Sequence, residues 1–257
     1  MATPPSAATF LKALKAEGLT VVETDGWRTH NRNSKGAWGP VNGVMIHHTV
    51  TKGSANTVKI CRTGYEGLPG PLCHGVITKD GRVHLVGYGR TNHAGSGDND
   101  VLAAVVAERA LPAPNETNTD GNARFYGFEC ENLGDGEDPW PDVQVEAMVR
   151  AAAALCRHHG WNERSVIGHK EWQLGKVDPR GVSTGGLRRR VAERLAHSAG
   201  WSRSSTTTYK VAKGDTLWSI AASKLGDGAR WREIASLNGI TDADAISVGQ
   251  VLKLPKK

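Results

Sequence analysis

NGVMIHHT, residues 42–49, decides how this chain is read. Val44, Met45 and Ile46 follow Gly43 without a polar interruption. A strand covered on both faces carries no polar alternation, so the run predicts a buried strand inside a sheet. It ends in His47 and His48. The end of such a strand is where a sheet protein places its chemistry.

The neighbouring segments give that strand its partners. HGVITKDGRVHLVG (74–87) predicts a hairpin turning at Asp80-Gly81. FYGFECENLG (125–134) predicts a third strand. Helical spacing runs through ATFLKALKAEG (8–18), with Phe10, Leu11 and Leu14 on one face. It recurs in DNDVLAAVVAERAL (98–111), capped by Asp98 or Asn99, in PDVQVEAMVRAAAALCRHHG (141–160), ended by Gly160, and in LRRRVAERLAH (187–197). Strands interleaved with helices predict an α/β domain, a mixed central β-sheet flanked by helices.

Composition changes in HSAGWSRSSTTTYK (197–210), a Ser/Thr-rich stretch that predicts a flexible linker. The expected division is a catalytic domain over 1–197, a linker over 198–208 and a binding module over 209–257. Beyond the linker, a short strand near Tyr209, a helix capped at Asp215, a second helix ending at Asn238-Gly239 and a strand in QVLKLP predict a small βααβ unit. It has no cluster of titratable groups, which makes it a binding module rather than a catalyst.

Bulk properties narrow the function. Of 257 residues, 39% are hydrophobic and 23% charged, an ordinary globular balance. The formal charge of +6 favours an anionic partner. No basic run resembles a nucleic-acid arm, and Arg188 to Arg190 read as the solvated face of a helix, so nucleic acid is not expected. No run approaches the ~20 apolar residues of a membrane span. The opening residues lack the basic and apolar regions of a signal peptide, so synthesis in a cytoplasm and release by another route are expected. Four cysteines without a Cys-x-x-Cys pair read as free thiols.

One of His47 and His48 emerges at the strand end as a candidate metal ligand. A catalytic zinc ion takes three protein ligands and leaves a position open. In GHKEWQLGKVDPRG (168–181), His169 and Asp178 offer two more ligands on a segment whose Gly and Pro forbid a continuous helix. On residue types alone that segment also reads as a solvated loop. Glu129 ends the third strand, with Glu131 expected on the same face by alternation. A carboxylate beside an activated water is the base that hydrolysis requires, although the pair also reads as a solvent-facing edge. Lys176 would bring a cation to a developing oxyanion.

Five ordered blocks, VMIHHTV, CHGVITKDGRVH, NHAG, YGFECEN and GHKEWQLGKVDPRG, resemble the zinc-dependent N-acetylmuramoyl-L-alanine amidases across roughly residues 40–182. That group includes phage lysozymes of amidase type and peptidoglycan recognition proteins. The resemblance implies Zn2+ held by His47, His169 and Asp178, Glu129 as the proton-taking base and Lys176 facing the oxyanion. His93 maps to a block that touches substrate, and His74 and Thr49 line or buttress the site. Cys73 stands where many members carry Tyr, which transfers more of the base function to Glu129. Residues 209–254, through YKVAKGDTLWSIA, IASLNGI and ISVGQVLKLP, resemble a LysM module, implying recognition of polymers containing N-acetylglucosamine.

Together these imply a monomeric peptidoglycan hydrolase of phage endolysin type that cuts between N-acetylmuramic acid and L-alanine, in a Gram-positive, actinobacterial wall. Two other readings stand beside it. A non-catalytic peptidoglycan receptor would have lost zinc ligands, whereas all three are present. A zinc endopeptidase cutting within the stem peptide has the same residue chemistry, and only the resemblance separates it.

Overall fold

The computed structural model describes residues 2–201 and 207–255. The chain forms two compact units, Met1–Trp201 and Ser202–Lys257. Within the linker expected over 198–208, residues 202–206 lie outside the described residues.

The first unit is built on a six-stranded sheet ordered Val21–Glu23, Val83–Leu85, Gly75–Ile77, Phe125–Cys130, Gly43–His48, Val166–Gly168. Gly43–His48 runs parallel to both neighbours, pairing His47 with Glu129 on one side and Ile46 with Gly168 on the other. The hairpin at Asp80-Gly81 forms as expected and supplies the antiparallel pair of this mixed sheet.

Alternation along Gly43–His48 sorts its apolar run into two cores. Val44 and Ile46 join Phe10, Leu14, Phe128 and the helix Asp142–His159. That helix presents the buried run Ala151 to Ala154, whose small side chains allow close approach, and it stops at Gly160 in the left-handed conformation. Met45 faces the other way, with Phe125, Val101, Ile167 and Trp172. His47 follows Met45 on this second face.

The helix Ala7–Ala16 buries Phe10, Leu11 and Leu14, and Asp98 caps Asn99–Val106 by accepting from the amides of Asp100 and Val101. The basic triplet differs from expectation. Arg188 forms two hydrogen bonds to Glu171 and Arg190 pairs with Glu146, leaving Arg189 as the exposed member. These arginines hold the helix Thr184–Leu195 against its neighbours instead of forming a solvated face.

The second unit pairs Thr207–Lys210 with Val251–Leu254 antiparallel and adds the helices Leu217–Leu225 and Trp231–Asn238. Its own core contains Leu217, Ile220, Ile234, Leu252 and Leu254. The first helix is capped by Thr216, which forms a capping box with Ser219. Asp215, the expected cap, instead accepts from the Ala212 amide and the Tyr209 hydroxyl, closing the preceding turn.

Candidate metal centre

Three side chains from separate segments converge on the second face of the sheet. His47 is the fifth residue of Gly43–His48, and His169 follows Gly168 at the end of the adjacent parallel strand. The parallel register therefore brings both imidazoles to the same sheet end. Asp178 returns on the loop that follows, because the Lys170 amide donates to the Asp178 carbonyl at 2.8 Å and the Lys170 ammonium donates to the carbonyls of Pro179 and Val182.

Two further anchors hold this loop. Glu171 accepts from the Gly168 amide and binds Arg188 through both carboxylate oxygens. Trp172 is fully buried, and its indole N–H donates to the Ala94 carbonyl. Gly97 and Gly121 make room for that indole, since a Cβ at Gly97 would lie 2.2 Å from it and one at Gly121 2.7 Å.

The result is a compact triangle. His47 Nδ1 lies 3.1 Å from His169 Nδ1 and 3.0 Å from Asp178 Oδ2, and His169 Nδ1 lies 3.1 Å from the same oxygen. All three residues are buried. Burial lowers the His47 pKa to about 4, against the hydrogen bond to Asp178, so this imidazole is neutral at pH 7. Burial alone would raise the Asp178 pKa, yet its hydrogen bonds to His169 and His47 outweigh this and hold it well below the ordinary carboxylate range. A neutral imidazole and an ionised carboxylate are the forms that bind a cation. Among the described residues, His47, His169 and Asp178 form the one His/Cys/Asp/Glu group placed to hold a metal ion.

Glu129 stands beside this triangle, with Oε1 4.0 Å from His47 Nδ1. Its Oε2 is buried without a hydrogen-bond partner. Burial raises its pKa well above the ordinary value, helped by Cys61 and Asp178 and opposed by Lys176. A carboxylate left without donors and drawn toward the protonated form is poised to take and return a proton. Glu129 and Lys176 line the same cleft as the triangle, a cavity of about 420 Å³. Lys176 is exposed at its edge.

The other expected residues separate. Thr49 lines the cleft and accepts from the Thr51 hydroxyl and the Asn132 amide. His93 also lines it, with Nδ1 3.0 Å from His47 Nε2. Burial lowers its pKa well below the ordinary value, as do His47, His74 and His169 around it. His74 has no exposed surface: it accepts from the Gly127 amide, donates to the Gly89 carbonyl and stacks on Trp38. It buttresses the strand beneath His93 and does not line the cleft. Glu131 does not share the Glu129 face, because the strand ends at Cys130. Its carboxylate instead accepts from the Gly53 amide, the Ser54 hydroxyl and the Lys79 amide.

Two contributors escaped the sequence reading. Gln173 Oε1 lies 3.3 Å from His169 Nε2, an i,i+4 contact whose signal was the spacing in HKEWQ. Cys61, from the helix Ser54–Thr63, reaches the cleft wall beside Cys73. An isolated Cys in a polar helix carried no sequence signal. The four cysteines are buried and free.

A family model described as N-acetylmuramoyl-L-alanine amidase matches residues 37–181, and a LysM domain model matches residues 209–255. The amidase XlyB of Bacillus subtilis (strain 168) is 32% identical over 175 residues, 64% of this chain and 53% of the relative. XlyA of the same organism is 31% identical over 136 residues, 52% of this chain and 40% of the relative. The chain thus spans about half the length, or less, of the curated relatives it matches. The solved catalytic domain of XlyA covers 67% of this chain and 99% of its own length at 15% identity, with a TM-score of 0.46. The amidase match takes in more than half of the chain, including His47, Glu129, His169, Lys176 and Asp178, and this chain belongs to the N-acetylmuramoyl-L-alanine amidase family.

Proposed function

We propose that this protein hydrolyses the amide bond between N-acetylmuramic acid and the L-alanine of the stem peptide in peptidoglycan, with Zn2+ held by His47, His169 and Asp178. The observation that carries the reading is the triangle of Nδ1, Nδ1 and Oδ2 atoms with sides of 3.0–3.1 Å. Zinc–nitrogen and zinc–oxygen bonds of about 2.0–2.2 Å in a tetrahedron separate ligands by roughly 3.3 Å. The donor set and its spacing therefore fit this metal. Bound zinc supplies a Lewis acid for the amide carbonyl.

The chain's own residues carry the proton and the charge. Glu129 takes a proton from the attacking water and returns it to the departing alanine nitrogen. Its raised pKa supports both halves of this exchange, because a protonated Glu129 is stable enough to act as the acid. Lys176 at the cleft edge faces the negative charge developing on the carbonyl oxygen. Thr49 forms part of the substrate-facing wall.

The second unit has the role of a wall-binding LysM domain over 209–257, joined to a catalytic domain over 1–197 by the linker 198–208. Tethering to a repeating polymer raises the local substrate concentration without new contacts at the reacting bond. The charge of +6 supports a wall bearing anionic polymers, as in a Gram-positive host of actinobacterial type, and the whole supports a phage endolysin. Digestion of purified peptidoglycan, with and without chelator, tests the reading. Chelator-sensitive release of L-alanine amino termini without new reducing sugars is expected. New reducing ends, or amino termini from other stem residues, would overturn it.

A further inference from the structure

We propose that His93 is a positioning residue that selects the His47 nitrogen offered to the metal, by accepting the other ring proton of His47, and that it does not bind substrate through a ring nitrogen. The inference rests on His47, His169 and Asp178 being the metal site.

Hydrogen-bond direction is forced along this chain of groups. A backbone carbonyl only accepts, so His93 Nε2, 3.2 Å from the Phe125 carbonyl, carries the His93 ring proton. His93 Nδ1 is then a bare acceptor, and its partner at 3.0 Å, His47 Nε2, donates. With a cation in the triangle, the one ring proton of His47 is thereby placed on Nε2, and Nδ1, 3.1 Å from His169 Nδ1 and 3.0 Å from Asp178 Oδ2, is left as the lone pair offered to that cation. The other tautomer of His47 would set two bare nitrogens against each other at 3.0 Å. It would also turn an N–H toward the point between His47, His169 and Asp178 where a cation would be held.

The backbone is arranged to hold His93 in this role. Its amide and that of Ala94 both donate to Asn122 Oδ1 at 2.8 Å. Gly127 clears the space for the ring, since a Cβ there would lie 2.5 Å from His93 Cγ. His93 thus sits against the strand Phe125–Cys130, whose first carbonyl fixes its proton. Both ring nitrogens are engaged, leaving no free polar ring atom for a ligand in the cleft. Groups that orient a metal-binding histidine through its far nitrogen typically contribute 10–100-fold to affinity.

The test uses the full chain and an almost isosteric pair of variants, His93→Leu and His93→Asn. Asn can set its side-chain oxygen near the Nδ1 position and accept from His47, whereas Leu cannot. Zinc affinity by chelator competition is expected to fall roughly 10–100-fold in His93→Leu and to recover most of that loss in His93→Asn. Imidazole nitrogen NMR of the zinc-loaded wild type is expected to find both His47 and His93 protonated on Nε2, a readout independent of how the variants fold. Equal zinc affinity in wild type and His93→Leu, with only KM raised, would make His93 a substrate contact and overturn the proposal. So would His47 protonated on Nδ1. If the wild type itself binds no zinc, the metal-site reading fails before this one is reached.

Discussion

At the scale of single residues, Glu129 differs most from an ordinary surface carboxylate. Its Oε2 is buried and unpartnered, and its pKa is raised by burial, by Cys61 and by Asp178 against the pull of Lys176. A carboxyl whose folded pKa exceeds its unfolded value, about 4.3, stabilises the fold fully below that value. The contribution is lost as pH rises through the folded pKa. Glu129→Gln removes this loss. In chelator, wild type and variant should melt together near pH 4, and by pH 8 the variant should melt ~2–4 °C higher, corresponding to about 1 kcal/mol. Thermal melts across that range check the sign, and a flat difference counts against it. The same variant should bind zinc and lose turnover, separating the base from the ligands. Its position was legible in the sequence because GFECEN ends a strand. Its missing partners were not, because solvent exclusion depends on segments far away in the chain.

At the scale of elements, the loop after Gly168 and the helix Ser54–Thr63 show how local order is imposed from elsewhere. Glu131 places a carboxylate at the amino end of that helix, accepting from the Gly53 amide and Ser54 hydroxyl at 2.9 and 2.6 Å. Negative charge there meets the positive end of the helix dipole. Glu131→Gln retains the shape but loses the charge and turns an amide toward donors. A loss of about 1–2 kcal/mol in urea unfolding at pH 7 is expected, with zinc affinity unchanged. A parallel fall in zinc affinity would tie Glu131 to the metal site after all. The long helix Asp142–His159 and the strand Gly43–His48 were readable from periodicity and apolar runs. The strands Val21–Glu23 and Val166–Gly168 were not. Three residues are too few for alternation to register, and these segments become strands by pairing with Val83–Leu85 and Val44–Ile46.

At the scale of the whole molecule, two units with separate cores predict separable behaviour. A chain ended at Trp201 should fold, bind zinc and cut soluble muropeptide within a few-fold of the full chain. On intact walls at low enzyme concentration it should be slower by about tenfold or more, the effect of losing the tether. Rates on both substrates measure this, and an equal loss on each would show the second unit supporting catalysis directly. Legible along the chain were the division into an α/β domain and a small βααβ unit, the strand that presents His47, and most of the helices with their stops, the helix Ser54–Thr63 excepted. Those properties reside in short-range spacing, which a single segment carries. That His74 is a buried strut, that Glu131 serves a helix, and that the Phe125 carbonyl meets one ring nitrogen of His93 while the other meets a histidine 46 residues earlier in the chain all follow from three-dimensional packing. Such roles depend on where a hydrogen-bond partner lies in space, and backbone carbonyls have no signature in the order of side chains.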